Sequence, residues 1–507
     1  MTEAMPIKKV LIANRGEIAV RVMRSCREMG LRTVAVYSDV DRGALHVSYA
    51  DEAYRLGPGP ATESYLRGDL ILDFARRSGA DAIHPGYGFL SENAAFVEAC
   101  EAAGVIFIGP PASSMRALGS KTKARQAADA AQMPRVPGSV TGLANIDEAL
   151  RVAREIGYPV MLKAAAGGGG KGMRAVATEA ELPTAYTAAG SEAERSFGSG
   201  EVYLEKLIER PRHIEVQVMA DMHGRCLYLG ERECSVQRRH QKVIEEAPSA
   251  VVGEVLRRRM GEAAVRLALS ASYVNAGTVE FLVDSQENFY FLEMNTRLQV
   301  EHPVTELITG LDLVQMQLRV AMGEPLGLCQ EDVQLRGHAI ECRIYAEDPE
   351  NNFMPSPGRI TRLERPSGPG VREDSGIYEG WTVPLDYDPM LSKLVCYGAT
   401  RAAAIDRMLR ALDEYVVGGI RTNIALFRRI LLDEDFRAAR LDTGYLERLL
   451  LVPSIEEEDR VPEDVVALAA ALLASTGRRD EVRNGMGRTD LPESRWAATG
   501  RREGLRA

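Results

Sequence analysis

The sequence predicts a mixed α/β and α+β chain of three folded parts and a tail. Three observations carry this. Apolar runs alternate with helix-spaced segments up to about residue 115. Strand-rich sequence dominates from there to about residue 295, and short strands broken by Gly and Pro turns fill about 335–446. At 507 residues the chain is too long for one ordinary core.

The elements follow in order. "KKVLIA" is a short apolar run. In "GEIAVRVMRSCREMG", Ile18, Val22 and Met29 have helical spacing and Gly30 is a stop signal. "RTVAVYS", "ADAIHPGYG" and "GVIFIGP" mark the next units, so a parallel, doubly wound, Rossmann-like sheet is expected. The fingerprint G-x-G-x-x-G is absent after the first strand, where "ANRGEIA" stands, which argues against a dinucleotide. A basic helix, "SKTKARQAADAA", and a helix at 147–156 lead into "GYPVMLKAAAGGGGKGMRAV". Strands follow in "EVYLEKLI", "RHIEVQVMAD", "RCLYLGERE", "GTVEFLVD" and "NFYFLEMN"; "VTELITGLDLVQMQLRVAMG" reads as one long amphipathic helix. In the tail, "VPEDVVALAAALLAS" suits a helix, and the arginine-rich polar stretch after it is expected to be loosely ordered.

Composition narrows the function. The chain is 45% hydrophobic and 26% charged, as globular proteins are. No run reaches the roughly 18 apolar residues of a membrane span, and the start shows no secretory pattern. Cys26, Cys100, Cys226, Cys234, Cys329, Cys342 and Cys396 form no C-x-x-C, and their odd number argues against a disulfide framework. A reduced, cytoplasmic protein is expected. The net charge of −10 argues against general nucleic-acid binding.

The run "KAAAGGGGKGMRAV" is not a P-loop. Lys171 is followed by Gly172 rather than Ser or Thr, and a strand pattern follows instead of a helix. Glycines without Cβ atoms can fold their N–H groups over a phosphate chain, with Lys163 and Lys171 adding charge. A phosphate flap and a structural hairpin fit the run equally.

"GTVEFLVDSQENFYFLEMNTR" reads as a hairpin turning at Gln286–Glu287, which sets Glu280 opposite Glu293. Opposed like charges destabilise a hairpin unless one is protonated or a cation lies between. Asn295 shares a face with Glu293, and two carboxylates with an amide oxygen suit Mg²⁺. In "NTRLQVEHP" an extended chain would point Arg297, Gln299 and Glu301 one way: a cation, an amide and a base, suited to a small planar oxyanion. Arg297 would favour ionised Glu301. Arg238, Arg239, His240 and Lys242 form the densest basic cluster. His84 reads as structural, and His46, His223, His302 and His338 suggest no role.

Together "ANRGEIAVRVMR", "HPGYGFLSENAAF", "KAAAGGGGKGM", "PRHIEVQV", "ERECSVQRRHQKVIEEAPS", "EMNTRLQVEHPVTE" and "HAIECRIYAEDP" resemble biotin carboxylase, from about residue 7 to 447. The resemblance implies a Rossmann-like N-terminal domain at 1–117 and an ATP-grasp domain at 118–334 with a mobile lid at about 135–208. A β-rich C-terminal domain at 335–447 and a tail at 448–507 complete it. It implies a ligase that uses ATP, Mg²⁺ (or Mn²⁺) and bicarbonate to carboxylate biotin through carboxyphosphate. By match to the family's motifs, Lys121 and Lys163 hold ATP phosphates under a flap that includes Gly167, Gly168, Gly169, Gly170 and Gly172. Glu205, Lys206 and Ile208 meet the adenine; His213, Gln237 and His240 lie along the ribose and phosphates. Glu280 and Glu293 bind the metal with Asn295 close by. Lys242, Arg297, Gln299 and the Val300 backbone hold bicarbonate, Glu301 is the base, Arg343 stabilises the biotin enolate, and Tyr87 lies near biotin. Arg24 and Glu28 match homodimer positions.

Two features depart from the family pattern. The flap reads Gly-Lys-Gly where many relatives have Gly-Arg-Gly. No Met-Lys-Met biotinylation motif is present, which implies a separate biotin carboxyl carrier protein, with carboxyltransferase subunits completing an acetyl-CoA, propionyl-CoA or pyruvate carboxylase. Acetyl-CoA would imply fatty acid biosynthesis. "SRWAATGRREGLR" resembles the start of a following domain in longer relatives and suggests a docking tail. A different ATP-grasp carboxylate–amine ligase and a nucleotide-sensing regulatory chain are the competing readings; neither would need "RLQVEH".

Overall fold

A computed structural model describes residues 7–119, 121–139, 142–165 and 173–452, with Leu468 and Ala471 as isolated helical positions. The glycine run at 166–172, the Lys121 side chain and nearly all of the tail lie outside the described residues. The chain divides into two compact units, Met1–Leu451 and Val452–Ala507, and all the sheets belong to the first.

The N-terminal region is a five-stranded parallel sheet in the order Glu52–Gly57, Arg32–Ser38, Lys9–Ile12, Ala82–His84, Ile106–Phe107. The edge strand Glu52–Gly57 goes beyond the sequence reading. Its polar Glu52 and Arg55 suit an edge that water can reach, and they hid it among loop-like residues. The helix Gly16–Glu28 buries Ile18, Val22 and Met23 against Leu298 and Leu313, which fixes the first βα turn beside the central sheet.

The lid region is a small antiparallel sheet in the order Met173–Val176, Val160–Ala164, Val202–Lys206. Lys163 pairs with Met173, so the glycine run connects two adjacent antiparallel strands. Helices Ile146–Ile156 and Leu182–Phe197 belong to the same region.

The central feature is one eight-stranded antiparallel sheet. Its order is Phe289–Asn295, Asn275–Val283, Arg212–Ala220, Cys226–Arg238, Gln241–Ala247, His338–Tyr345, Met390–Gly398, Val371–Ser375. The sheet runs unbroken past residue 334, because Ile244 pairs with Cys342. The third region is strand-rich to Gly398 and mainly helical beyond it, with Arg401–Glu414 and Ile424–Leu432 the longer helices. The single helix expected over "VTELITGLDLVQMQLRVAMG" is two, His302–Thr309 and Leu313–Ala321. Gly310 takes φ +74° and Asp312 caps the second helix through the Gln315 N–H. Among the described residues no helix is long and apolar enough to cross a membrane. All seven cysteines are free thiols.

Candidate active site

The site grows out of sheet register. Glu293, Glu280, Glu215 and Arg232 form one row across four adjacent strands. The pairing of Glu280 with Glu293 matches the sequence reading, but two deviations combine to give it. The turn lies one half-step from the symmetric position, with Val283 opposite Phe289, and a bulge between Glu280 and Phe281 restores the register. Side chains in register share a face, so three carboxylates face one way.

A cation bridges two of them, Glu215 and Glu280, to Glu301. The Lys242 ammonium donates to Glu215 at 2.5 Å, Glu280 at 2.9 Å and Glu301 at 2.7 Å. Arg232 pairs with Glu215 and donates to Gln217 at 2.8 Å and Thr305 at 2.9 Å. Arg343 donates to the other Glu301 oxygen at 2.9 Å and lies 2.5 Å from Glu245. His213 Nε2 lies 3.0 Å from Glu280, and the Gln237 amide lies 2.7 Å from His213 Nδ1. Asn295 donates to Glu280 at 2.8 Å.

Burial alone would raise every one of these carboxyls. At Glu301 it is outweighed by Lys242, Arg343 and Arg232, which hold the group well below the carboxylate range. At Glu280 it is outweighed by Lys242 and His213. At Glu245 burial wins, and the carboxyl is pushed up to about 7 against the pull of Arg343. Glu341 stands directly opposite Glu245 across the next strand pair, wholly buried, and burial pushes its carboxyl well up too. A protonated member is what allows two acids to face each other there.

Glu301 is the cap position of helix His302–Thr309, yet its side chain makes no cap bond and turns to Lys242 and Arg343. This corrects the extended reading of "TRLQVEH". The chain bends at Arg297 and turns at Val300–Glu301, and Arg297 reaches Glu92 at 3.0 Å, Gln299 at 2.9 Å and Asn295 at 3.1 Å. The cations that ionise Glu301 are therefore Lys242, Arg343 and Arg232, where the sequence reading assigned Arg297.

Two cavities flank the cluster. A cleft of about 540 Å³ is lined by Glu92, Lys123, Glu293 and Asn295 among others. A cavity of about 460 Å³ is lined by Tyr87, Arg297, Val300, Arg343 and the turn Asn14–Glu17. Asn14 Nδ2 donates to the carbonyls of Pro85 and Tyr87, each at 2.7 Å. Gly86 lies between them at φ +63°, where a Cβ would press on that Asn14 amide. The motifs "ANRGE" and "HPGYG" thus build one wall together.

The lid side is arranged differently. Lys163 pairs with Glu205 at 2.6 Å, Arg125 also pairs with Glu205, and Lys206 donates to the Gly157 and Tyr158 carbonyls at 3.0 and 2.8 Å. Ile208 is half-buried just beyond that strand. His240 is exposed at the tip of the hairpin that pairs Arg238 with Gln241, apart from the buried cluster. Arg24 and Glu28 lie on the outer part of helix Gly16–Glu28, with Arg24 3.9 Å from Asp374.

The comparisons with known proteins agree with this architecture. Residues 6–115 match the family described as biotin carboxylase, N-terminal domain, and residues 341–448 match the biotin carboxylase C-terminal domain. Residues 120–329 match the ATP-binding domain of the carbamoyl-phosphate synthase L chain. The biotin carboxylase of Halalkalibacterium halodurans is 53% identical over 445 residues, which is 88% of this chain and 98% of that one. The chain belongs to the biotin carboxylase family. A pyruvate carboxylase subunit of Methanothermobacter thermautotrophicus is 53% identical over 90% of this chain and 93% of its own. A crystal structure of Campylobacter jejuni biotin carboxylase in a β-γ-ATP complex superposes with TM-score 0.85 at 48% identity, covering 88% of this chain and all (100%) of that one. The biotin carboxylase domain dimer of Hydrogenobacter thermophilus 2-oxoglutarate carboxylase, with MgADP, ADP and bicarbonate, gives TM-score 0.84 at 46% identity over 89% of this chain and 100% of that one.

Sequence reasoning missed Glu215, Arg232, Glu245 and Glu92. The signal for Glu215 was present: His213, Glu215 and Gln217 alternate in "RHIEVQV", three polar residues on one face of a buried strand.

Proposed function

We propose that the chain carboxylates biotin, on a separate biotin carboxyl carrier protein, at the expense of ATP and bicarbonate. The observation that carries this reading is Glu301: wholly buried, ionised, and held between Lys242 and Arg343 beside the cavity lined by Arg297 and Val300. A carboxylate so placed takes the bicarbonate proton. The bicarbonate oxygen then attacks the γ-phosphorus of ATP, ADP leaves, and carboxyphosphate forms. It breaks to CO₂ and phosphate, the phosphate takes the N1′ proton of biotin, and the freed N1′ electron pair attacks the CO₂. Lys242, Arg297, Gln299 and the Val300 backbone bind bicarbonate, and Arg343 steadies the biotin enolate beside Tyr87.

The hard oxygens of Glu280, Glu293 and Asn295, gathered by register on one wall, fit Mg²⁺ or Mn²⁺. Bound there, the metal neutralises phosphate charge, the main need of phosphoryl transfer. Lys121, Lys163, His213, Gln237 and His240 take the phosphates and ribose; Glu205, Lys206 and Ile208 take the adenine. Carboxyphosphate must be kept from water, and the flap Gly167–Gly172 serves that end.

We further propose the domain division 1–117, 118–334, 335–447 and 448–507, a homodimer that uses Arg24 and Glu28, cytoplasmic location, and assembly with carrier and carboxyltransferase subunits. Those partners choose acetyl-CoA (for fatty acid biosynthesis), propionyl-CoA or pyruvate. Relatives named for pyruvate and for propionyl-CoA both match at about half identity, so this chain alone does not choose. The test is ATP hydrolysis that requires bicarbonate and rises with free biotin; hydrolysis indifferent to bicarbonate overturns the proposal.

A further inference from the structure

Lys393 is wholly buried on the strand Met390–Gly398, and none of the roles assigned to the site uses it. Arg343 stands opposite it on one neighbouring strand and Asp374 on the other, so all three share a face. Arg343 grips the Glu301 carboxylate at 2.9 Å, and Lys393 donates to the Val300 carbonyl at 2.7 Å. Two cross-strand cations thus hold two consecutive residues of one turn. The far side of the Lys393 ammonium meets Glu17 at 3.3 Å and the Tyr87 ring at 5.7 Å from its centroid. Glu17 opens the helix Gly16–Glu28, and its carboxyl oxygens are buried without a hydrogen-bond partner. Burial pushes that carboxyl up to about 7 while Lys393 pulls against it.

From this geometry we infer that Lys393 is a positioning residue for the bicarbonate-binding turn: it pins the Val300 carbonyl to the first βα turn through Glu17. The inference rests on the proposed function. A fully buried lysine has a large desolvation cost, and a site that needed only packing would be met by an apolar side chain. The Lys393 contacts instead bring together three of the pieces of chain that line the 460 Å³ cavity, at Glu17, Tyr87 and Val300. With the Val300–Glu301 peptide fixed at its oxygen, the backbone before it and the carboxylate after it keep one orientation toward bicarbonate. Small misplacements of such groups cost large factors in rate.

The experiment is steady-state ATP hydrolysis by the full chain, titrated separately with bicarbonate and with ATP, on wild type, Lys393→Met and Glu17→Gln. Melting temperature is recorded for each. Lys393→Met is expected to raise the bicarbonate KM about tenfold or more with the ATP KM within about twofold. Glu17→Gln, which keeps the shape and removes the counter-charge the carboxylate carries at an assay pH of about 8, is expected to shift the bicarbonate KM the same way by about threefold. It decides the matter if Lys393→Met does not fold. Variants with both KM values unchanged, or with both raised in parallel, overturn the inference and leave the proposed function standing. Wild type without bicarbonate dependence removes the proposed function and this inference with it.

Discussion

The two sides of the site are built by opposite means. Around Lys242, Glu215, Glu280 and Glu301 all lie within hydrogen-bonding distance of its ammonium, and the strands beneath are paired on both sides. The lid side has a three-stranded sheet, and its Lys163 is engaged with Glu205. On the proposed function, the acid–base side is preorganised, whereas the nucleotide side must exchange partners to work. That division suits the chemistry. An oxyanion is stabilised by dipoles and charges that need not move, while a triphosphate must enter and leave.

The largest test of the preorganised side is Glu301→Gln. Loss of a general base removes about 10²- to 10⁴-fold of rate, so bicarbonate-dependent hydrolysis should fall by at least that lower bound. ATP affinity, measured by calorimetry, should stay within about twofold, because Glu301 is sequestered by Lys242 and Arg343 away from the lid. A comparable loss of ATP binding would show that the two sides are not separate.

Lys242→Met comes next and reads out in stability. Removing one member of a buried ion pair typically costs about 3–5 kcal/mol, and here three acids lose a shared cation. Their carboxyls would then rise with burial. A group with a raised native pKa destabilises the fold increasingly as pH climbs through it. The melting temperature should therefore fall most near pH 8 and recover in part near pH 5. A pH-independent loss would assign Lys242 to packing.

These two residues also measure what the sequence discloses. The Glu280–Glu293 pair was legible because a hairpin joins neighbours, and because a turn offset and a bulge offset each other. The parallel sheet was legible from alternation of apolar runs and helices. The step from Glu280 to Glu215 was not, because those strands are far apart in sequence and their order is decided by packing. Arg343 likewise pairs with a residue 42 positions away. Arg297 was read as the cation that ionises Glu301 because an extended chain was assumed where Glu301 begins a helix.

A subtler effect is expected at Glu245, whose carboxyl is pushed up to about 7. Glu301 is held so far down that at rest it is a weak base. As pH rises through about 7, Glu245 gains a charge beside Arg343, competes for it, and so strengthens Glu301 as a base. Turnover at saturating bicarbonate should climb through that range in wild type. Glu245→Gln should flatten the climb by severalfold, without moving the ATP KM. An unchanged profile would place the inflection elsewhere.

The smallest effect belongs to the lid. Glu205 receives both Lys163 and Arg125. If the nucleotide side works by exchange, weakening the resting partner should favour the bound state. Glu205→Gln keeps a hydrogen-bonding group at the position and removes the charge, so the hold on Lys163 slackens. The pair is largely buried, where desolvation offsets much of the attraction, so the net change is expected to be small, on the order of 1 kcal/mol or a factor of about five. The expected outcome is an ATP KM lowered about threefold, with the bicarbonate KM unmoved. A raised ATP KM would mean that the Glu205 charge serves bound nucleotide directly. The lid would then be preorganised like the cluster around Lys242, and the contrast between the two sides would lie only in their burial.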